Sequence, residues 1–571
     1  LLIENERVKR FGFTVTEFER QKSDIVTQYE KEAKEWEKTE SSSFCGQYVD
    51  HFLSGDPIPG AQKEFKYLKA VLPSISLEEI NALATRWVTD NNIGVIVTAP
   101  EKEGVVVPTE SDIKAIIAQS KTADISAYVD NYREEPLISE TITSGAVSKR
   151  KEDKTLEYTE VTLSNAAVVV LKPTEFKNDE ILFSAYSLGG NSLISDDYFA
   201  KVRFATQVID MSGIGNFDNV ELSKKLAGKT VRLTPYVYPT REGFIGSASP
   251  KDIETLMELV WSYFEQPRKD TSASKAFLSK LDNQMKFMKN NPFMAFLDTA
   301  YKLQYPESKR TAVFPTEAQI AQFNLDTSYA FFRDRFSDAS DFKFFLVGNF
   351  SMDTILPLLE KYIGSLPSTW RKENWKDISP KFAKGKTDVT IYKGTDPQGM
   401  LSVTMSEPIE WSEDLQLKFS LLKEILSIKL IEVIREKLSG TYSPQATISV
   451  DQFPSPKYIL TIRFGCSPES AESLTKAVFK EIKNLKKRGP SGTDLQKAQE
   501  AALRKFETDR EKNDFWLGKL ESVYYNHENP ENMIKFVGRV NEITTSDLKN
   551  VASKYFNTDH YVRVVLMPEK R

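Results

Sequence analysis

The stretch "ITTSDLKNVASKYFNTDHYVRVVLMP" (543–568) predicts a capped helix, a short polar turn and an apolar strand. An earlier stretch, "ISLEEINALATRWVTDNNIGVIVTAP" (75–100), has the same pattern and aligns with it without a gap. A third copy, "IAQFNLDTSYAFFRDRFSDASDFKFFLVGNF", occupies 320–350. The chain therefore repeats one helix-and-strand unit.

A second module recurs upstream of two of these copies. The helical patterns "ASPKDIETLMELVWSYFEQP" (248–267) and "CSPESAESLTKAVFKEIKNL" (466–485) align with each other. Each follows a predicted strand hairpin, at 229–248 and at 441–466, where apolar and polar residues alternate around a Pro-containing turn. We therefore predict α+β domains that repeat, each a mainly antiparallel β-sheet packed against helices and too long for a solenoid repeat.

The first copy of the unit is incomplete. "ENERVKRFGFTVTEFERQKSDI" (4–25) corresponds to "KEIKNLKKRGPSGTDLQKAQEA" (480–501), but the part of the last copy from residue 385 to residue 479 has no counterpart before it. Helices without their sheet would expose their apolar stripes. We expect another polypeptide segment to complete this copy.

Composition excludes several classes of function. The 571 residues are 40% hydrophobic and 27% charged, and the net charge of −5 gives no reason to expect a nucleic-acid partner. No apolar run is long enough for a membrane span. The two cysteines, Cys45 and Cys466, cannot form a disulfide framework and are expected to be buried free thiols.

Catalytic motifs are absent from the sequence. The three histidines, His51, His527 and His560, are not within metal-ligand spacing of one another. There is no Gly-x-Ser-x-Gly motif and no recognisable Cys–His pair. By its own residues the chain is predicted to lack catalytic activity.

One helix–strand junction, "IREKLSGTYSPQ" (434–445), stands out. Arg435 falls in the last turn of a long apolar helix, where the helix dipole favours a cation, and Tyr442 begins the next strand. Judged alone, both residues have ordinary structural explanations. The earlier copy, however, has Lys225 and Val231 in this region, so the Arg–Tyr pair is specific to the last domain.

The repeat, the junction "IREKLSGTYS" and the segment "VTLSNAAVVVLKP" (161–173) resemble the pitrilysin/insulinase family of zinc metallopeptidases. Its members carry an inverted His-x-x-Glu-His zinc motif and close four homologous α/β domains like a clamshell around a peptide. The resemblance implies the following organisation: 1–100, the C-terminal part of the second domain; 101–155, the linker between halves; 156–372, a degenerate third domain; 373–571, the fourth domain.

The resemblance also implies roles for individual residues. Arg435 and Tyr442 match the family's substrate-binding pair. The zinc motif is replaced by "QVIDM" (207–211), where Gln207 and Met211 stand in for the two histidines and Asp210 for the glutamate. Because amide and thioether groups are poor zinc ligands, we expect no catalytic residue and no metal in this chain. Zinc is expected in an N-terminal portion that precedes Leu1.

These observations lead to a primary hypothesis and two alternatives. The chain would be the non-catalytic half of a zinc metalloendopeptidase, active only with an N-terminal catalytic portion, and it would enclose peptide substrates. The first alternative is an inactive, peptidase-like scaffold that binds peptides or proteins without cleaving them. The second alternative is a free-standing peptide-binding module. A bacterial periplasmic location is expected.

Overall fold

A computed structural model describes residues 1–89, 91, 93–99, 104–310, 313–438 and 444–569. Among them are two β-sheets, of seven and five strands. The first comprises β1 (Val147–Asp153), β2 (Tyr158–Leu163), β3 (Val168–Pro173), β4 (Ile181–Leu188), β5 (Val231–Val237), β6 (Arg241–Ala248) and β7 (Lys343–Gly348). The second comprises β8 (Lys386–Tyr392), β9 (Gly399–Pro408), β10 (Gln445–Asp451), β11 (Lys457–Cys466) and β12 (Tyr561–Met567).

The helices fall into three groups along the chain. Before the first sheet lie α1 (Leu2–Phe11), α2 (Val15–Glu35), α3 (Ser41–Ser54), α4 (Ala61–Val71), α5 (Leu77–Trp87) and α6 (Glu110–Thr122). Between strands of the first sheet or after its last strand lie α7 (Asp196–Val202), α8 (Ala205–Ser212), α9 (Asn219–Lys225), α10 (Ile253–Glu265), α11 (Thr271–Asn290), α12 (Pro292–Gln304), α13 (Glu317–Ala321), α14 (Leu325–Arg335) and α15 (Met352–Leu358). With the second sheet come α16 (Glu413–Leu430), α17 (Ala471–Arg488), α18 (Gly492–Asp509), α19 (Asn513–Tyr525), α20 (Glu531–Ile534), α21 (Phe536–Glu542) and α22 (Thr545–Tyr555).

The two sheets share one topology. The second has the order β8-β12-β9-β11-β10, and the first contains the same arrangement as β3-β7-β4-β6-β5, with β1 and β2 added at one edge. In each, the last strand along the chain pairs in parallel with an early strand, β7 with β3 and β12 with β8, and the other pairs are antiparallel. The predicted α+β repeat of mainly antiparallel sheets is therefore confirmed.

Each sheet is covered by helices on both faces. On one face, the covering helix comes from the domain of the other sheet. α10 packs against β5 and β6 of the first sheet, and α16 and α17 pack against the second. On the opposite faces, α19 covers β4 and β7, whereas α12 covers β12 and β9. The two domains therefore exchange helices.

The strand predicted at the end of the first copy is not formed. The predicted helix is present as α5, but the described residues 93–99 have no strand pairing. The equivalent strand, β12, lies between β8 and β9 and depends on both for its hydrogen bonds. Because the first copy has no counterparts of these two strands in this chain, its apolar segment has no backbone partners.

The region between the first helices and the first sheet contains α6, which begins with a capping box in which Thr109 and Asp112 are bonded reciprocally. The first strand, β1, lies within 101–155, the range expected for the linker. The boundaries of the four domains remain a prediction.

Candidate functional site

Arg435 is positioned by α16, the central helix of the second sheet's domain. The helix begins after Ser412, whose side chain accepts a hydrogen bond from the backbone N–H of Leu415. Its first turn carries Glu413 and Asp414, which suit the positive end of the helix dipole. The local sequence thus determines where this helix begins.

The C-terminal end of α16 is anchored within the domain. Its buried residues include Leu422, Ile425 and Leu426. Near the end, the Lys429 ammonium lies 2.9 Å from the buried carboxylate of Asp494 on α18. The start of the segment that follows is therefore held in place by apolar packing and by an ion pair whose carboxylate is buried.

Arg435 lies in a wider turn that continues α16. Residues Ile431–Lys437 form a π-helical segment, and the Arg435 side chain is exposed. In the part of the chain that the structure describes, no hydrogen bond or ion pair holds its guanidinium. π-Helical turns are frequent at functional sites, but one also follows α15, at Leu359–Ile363. The exposed, unengaged guanidinium is thus the more informative feature.

The second member of the predicted pair, Tyr442, lies outside the described residues. Its spacing from Arg435 across the junction therefore stays a prediction. In the corresponding region of the third domain, Lys225 ends α9 and donates a hydrogen bond of 3.1 Å to the backbone carbonyl of Glu134. A cation in this region of the earlier copy is thus engaged with the preceding segment, unlike Arg435.

The segment predicted to be a degenerate zinc motif, 207–211, lies on α8, beside β5 and α11. Gln207 is exposed, while Asp210 and Met211 are half-buried. The Asp210 carboxylate accepts a hydrogen bond of 2.5 Å from the hydroxyl of buried Tyr263. Burial raises the pKa of Asp210, against the opposing effect of this hydrogen bond. The Asp210 carboxylate, at the position that the resemblance assigns to the motif's glutamate, is therefore already engaged in a hydrogen bond with Tyr263.

The residues around this motif do not fit a zinc ion. Gln207 and Met211 offer an amide and a thioether, which are poor zinc ligands. On the neighbouring helix α11, the carboxylate of Asp282 forms an ion pair of 2.6 Å with Lys286 one turn later. Across the described residues, no three His, Cys, Asp or Glu side chains converge so that they could hold a metal ion. The described side chains around 207–211 thus do not offer a zinc ligand set.

A buried charge network escaped sequence reasoning. Glu242 is fully buried, accepts a hydrogen bond of 2.6 Å from the backbone N–H of Gly190, and lies 3.6 Å from the guanidinium of Arg335. Burial raises the Glu242 pKa to about 8, with Arg335 acting in the opposite direction. Arg335 in turn bonds Glu373, in the segment between the two sheets, at 2.9 Å. The network ties this connecting segment to the third domain. No sequence spacing indicates this network, because its members are far apart along the chain.

The comparisons with known proteins agree with this picture. Residues 322–502 match the family described as "Peptidase M16 inactive domain". This match over part of the chain agrees with the resemblance to the pitrilysin/insulinase, or M16, metallopeptidases that is seen in the sequence. No helix within the described ranges is long and apolar enough to cross a membrane.

Individual relatives match most of the length of this chain. "Zinc protease PQQL-like" from Arabidopsis thaliana is 21% identical over 537 residues, which cover 91% of this chain and 53% of that protein. The crystal structure of the periplasmic protease PqqL from Escherichia coli superposes with a TM-score of 0.67 and 18% identity, covering 100% of this chain and 63% of that one. The first half of PqqL, solved separately, gives a TM-score of 0.60 at 13% identity, covering 73% of this chain and 92% of that one. The chain therefore spans about half the length of the curated relatives it matches.

Proposed function

We propose that this chain is the non-catalytic half of a zinc metalloendopeptidase and supplies Arg435 and Tyr442 to an active site formed by an N-terminal half. The observation that carries the proposal is the exposed Arg435, whose guanidinium has no hydrogen bond or ion pair within the described residues. It is joined by the predicted zinc-motif positions Gln207 and Met211, whose amide and thioether groups are poor zinc ligands. The M16 match and the names of the zinc protease relatives support the reaction class.

The proposed role of the pair follows from the chemistry of its donors. A guanidinium and a phenolic O–H can both donate hydrogen bonds to a peptide carbonyl oxygen. Donors fixed in place stabilise negative charge that develops on this oxygen during hydrolysis. The anchored end of α16 provides such a fixed base for Arg435.

The proposed partners are a zinc-bearing N-terminal half and a peptide that the two halves enclose. The partner half is supported by the relatives, which are about twice as long as this chain. It is also supported by Ile96, which is 90% exposed in a segment equivalent to a central strand. A sheet supplied by the preceding half would cover this segment.

The test is peptide hydrolysis by the protein that contains both halves. Arg435→Ala should lower kcat/KM by about 10²-fold or more, as expected for loss of one oxyanion donor. Arg435→Lys should restore part of this loss, because it keeps the charge without the planar fork. Tyr442→Phe removes only a hydroxyl and should also lower kcat/KM.

A matched control removes a different exposed arginine of the same domain. Arg488→Ala, in the last turn of α17, should leave kcat/KM unchanged. Because Arg435 is exposed, its replacement should not change the thermal unfolding midpoint. Full activity in Arg435→Ala would exclude the proposed role.

The scaffold alternative makes a different prediction for the same preparation. A scaffold would contain no stoichiometric zinc and would bind peptides without hydrolysing them. A peptidase should contain one zinc ion per two-half protein and lose activity on chelation. Metal analysis of the two-half protein therefore separates the two hypotheses.

We also propose a periplasmic location, because a structurally similar protein is named the periplasmic protease PqqL. Fractionation of a bacterial host that expresses the natural gene tests this location. Recovery with the cytosolic marker would contradict it.

A further inference from the structure

α3 is a helix whose apolar surface has almost no partner within the described residues. Tyr48 is 60% and Phe52 is 86% exposed, and none of its residues is buried. Only Phe44 has a ring contact, edge-on to Trp36 at 4.9 Å. Phe44, Cys45, Tyr48 and Phe52 lie on one side of the helix, so they form a continuous stripe.

The fourth domain has an equivalent helix with a partner. α19 follows α18 just as α3 follows α2, and it lies on the outer face of the first sheet. Its Leu520 is fully buried there, and the Trp516 ring lies 4.0 Å from the ammonium of Lys172 on β3. The Tyr524 hydroxyl donates to the carboxylate of Glu160 on β2.

The stripes of the two helices coincide. When α3 and α19 are aligned at their first residues, the α3 stripe falls on the α19 side chains that face the sheet. The paired positions are Phe44 with Trp516, Cys45 with Leu517, Tyr48 with Leu520, and Phe52 with Tyr524. Apolar or aromatic character is kept at these positions except for the small thiol of Cys45.

Covering a neighbour's sheet is a general feature of these domains. α12 of the third domain lies on the second sheet, where Phe296 and Ala300 pack against Val562 and Val564 of β12. Both described sheets are thus covered by a helix from the adjacent domain. α3 has the stripe for such a contact, but both described sheets already have their covering helix.

We propose that the α3 stripe packs on the outer face of the β-sheet of the first domain in the preceding half, the sheet of the proposed zinc-bearing domain. The inference rests on the proposed two-half organisation. The occupant is argued from the repeat itself, because α19 covers the sheet of the domain that precedes its own. The similarity of this fold to the first half of PqqL supports an equivalent two-domain arrangement there. The expected surface is apolar and aromatic, like the face formed by Tyr186 and Phe345 under α19.

Cys45 allows the contact to be measured without an activity assay. Its thiol is exposed in this chain, contrary to the expectation of a buried thiol, because α3 has no partner here; Cys466 is buried as expected. In the native two-half protein, Cys45 should react with iodoacetamide at least about tenfold more slowly than after denaturation, since docking would cover it. Peptide mass spectrometry at Cys45 gives the rate. Reaction at the denatured rate would overturn the proposal.

Two variants identify the face that makes the contact. Phe52→Asp and Ser54→Asp place the same charge in the last turn of α3, but Ser54 lies on nearly the opposite side of the helix. Phe52→Asp should restore fast labelling of Cys45, whereas Ser54→Asp should leave Cys45 protected. Protection that persists in Phe52→Asp would overturn the proposal.

The labelling of Cys45 tests the α3 contact independently of the proposed catalytic role. Protected Cys45 in a two-half protein that cleaves no peptide would support the α3 contact and refute the peptidase. Fast labelling of Cys45 in an active peptidase would support the peptidase and refute the α3 contact.

Discussion

The first and last copies of the repeat have the same local sequence pattern but different structures. α5 and α22 align residue by residue, yet Trp87 is 75% exposed where the equivalent Tyr555 is 6% exposed. After the helix, Val564 is fully buried in β12, whereas its counterpart Ile96 is 90% exposed in a segment without strand pairing. The helix forms in both copies because its hydrogen bonds are internal, whereas the strand forms only where neighbouring strands exist.

The helix starts show the same division between local and tertiary effects. Ser76 with Glu79 and Thr544 with Asp547 form complete capping boxes in the two copies. Capping depends on residues three apart and survives without the sheet. Burial of the apolar side chains, in contrast, requires the sheet and is lost in the first copy.

The largest expected contrast is between Val564→Asp and Ile96→Asp. Val564→Asp places a charge in a central strand without a partner and should destabilise the fourth domain by more than about 4 kcal/mol. Ile96→Asp should change the stability of this chain by less than about 0.5 kcal/mol. Urea unfolding of the two variants measures both. Similar losses would show that 93–99 is already buried.

A smaller contrast is expected between Tyr555→Ala and Trp87→Ala. The Tyr555 ring packs against Phe419 at 5.6 Å, so its loss should cost about 3–5 kcal/mol. The exposed Trp87 should contribute little in this chain. In the two-half protein, Trp87→Ala should become costly as well. If it stays neutral there, the preceding half does not cover α5.

The smallest expected loss of stability comes from removing a helix cap, and it should be the same in both copies. Ser76→Ala and Thr544→Ala each remove one capping side chain and should each weaken their helix by about 1 kcal/mol. Amide hydrogen exchange in the first turns of α5 and α22 provides the measurement. A markedly larger effect at Thr544 would mean that capping also depends on the sheet.

Much of the fold was predictable because its elements follow simple periodicities. The hairpins at β5–β6 and β10–β11 and the repeat itself were found from the sequence. The strand at 93–99 was wrong because periodicity reports what a segment would bury and not whether its neighbours are present. Helix exchange by α12 and α19 was missed because an apolar stripe does not identify the sheet it covers.

The candidate site was only partly predictable, for related reasons. Arg435 was found by its spacing and by the family resemblance, and its exposure is a property of the folded domain. The buried Glu242 network depends on residues brought together only by folding, so no local pattern indicates it. The contribution of Tyr442 rests on the resemblance alone.

The most direct test of this account is amide hydrogen exchange of residues 93–99 in the native two-half protein, with residues 561–567 as the internal reference. If the preceding half supplies the missing sheet, 93–99 should be protected to an extent comparable with 561–567, because both would then be central strands. Free exchange at 93–99 alongside protected 561–567 would contradict the account.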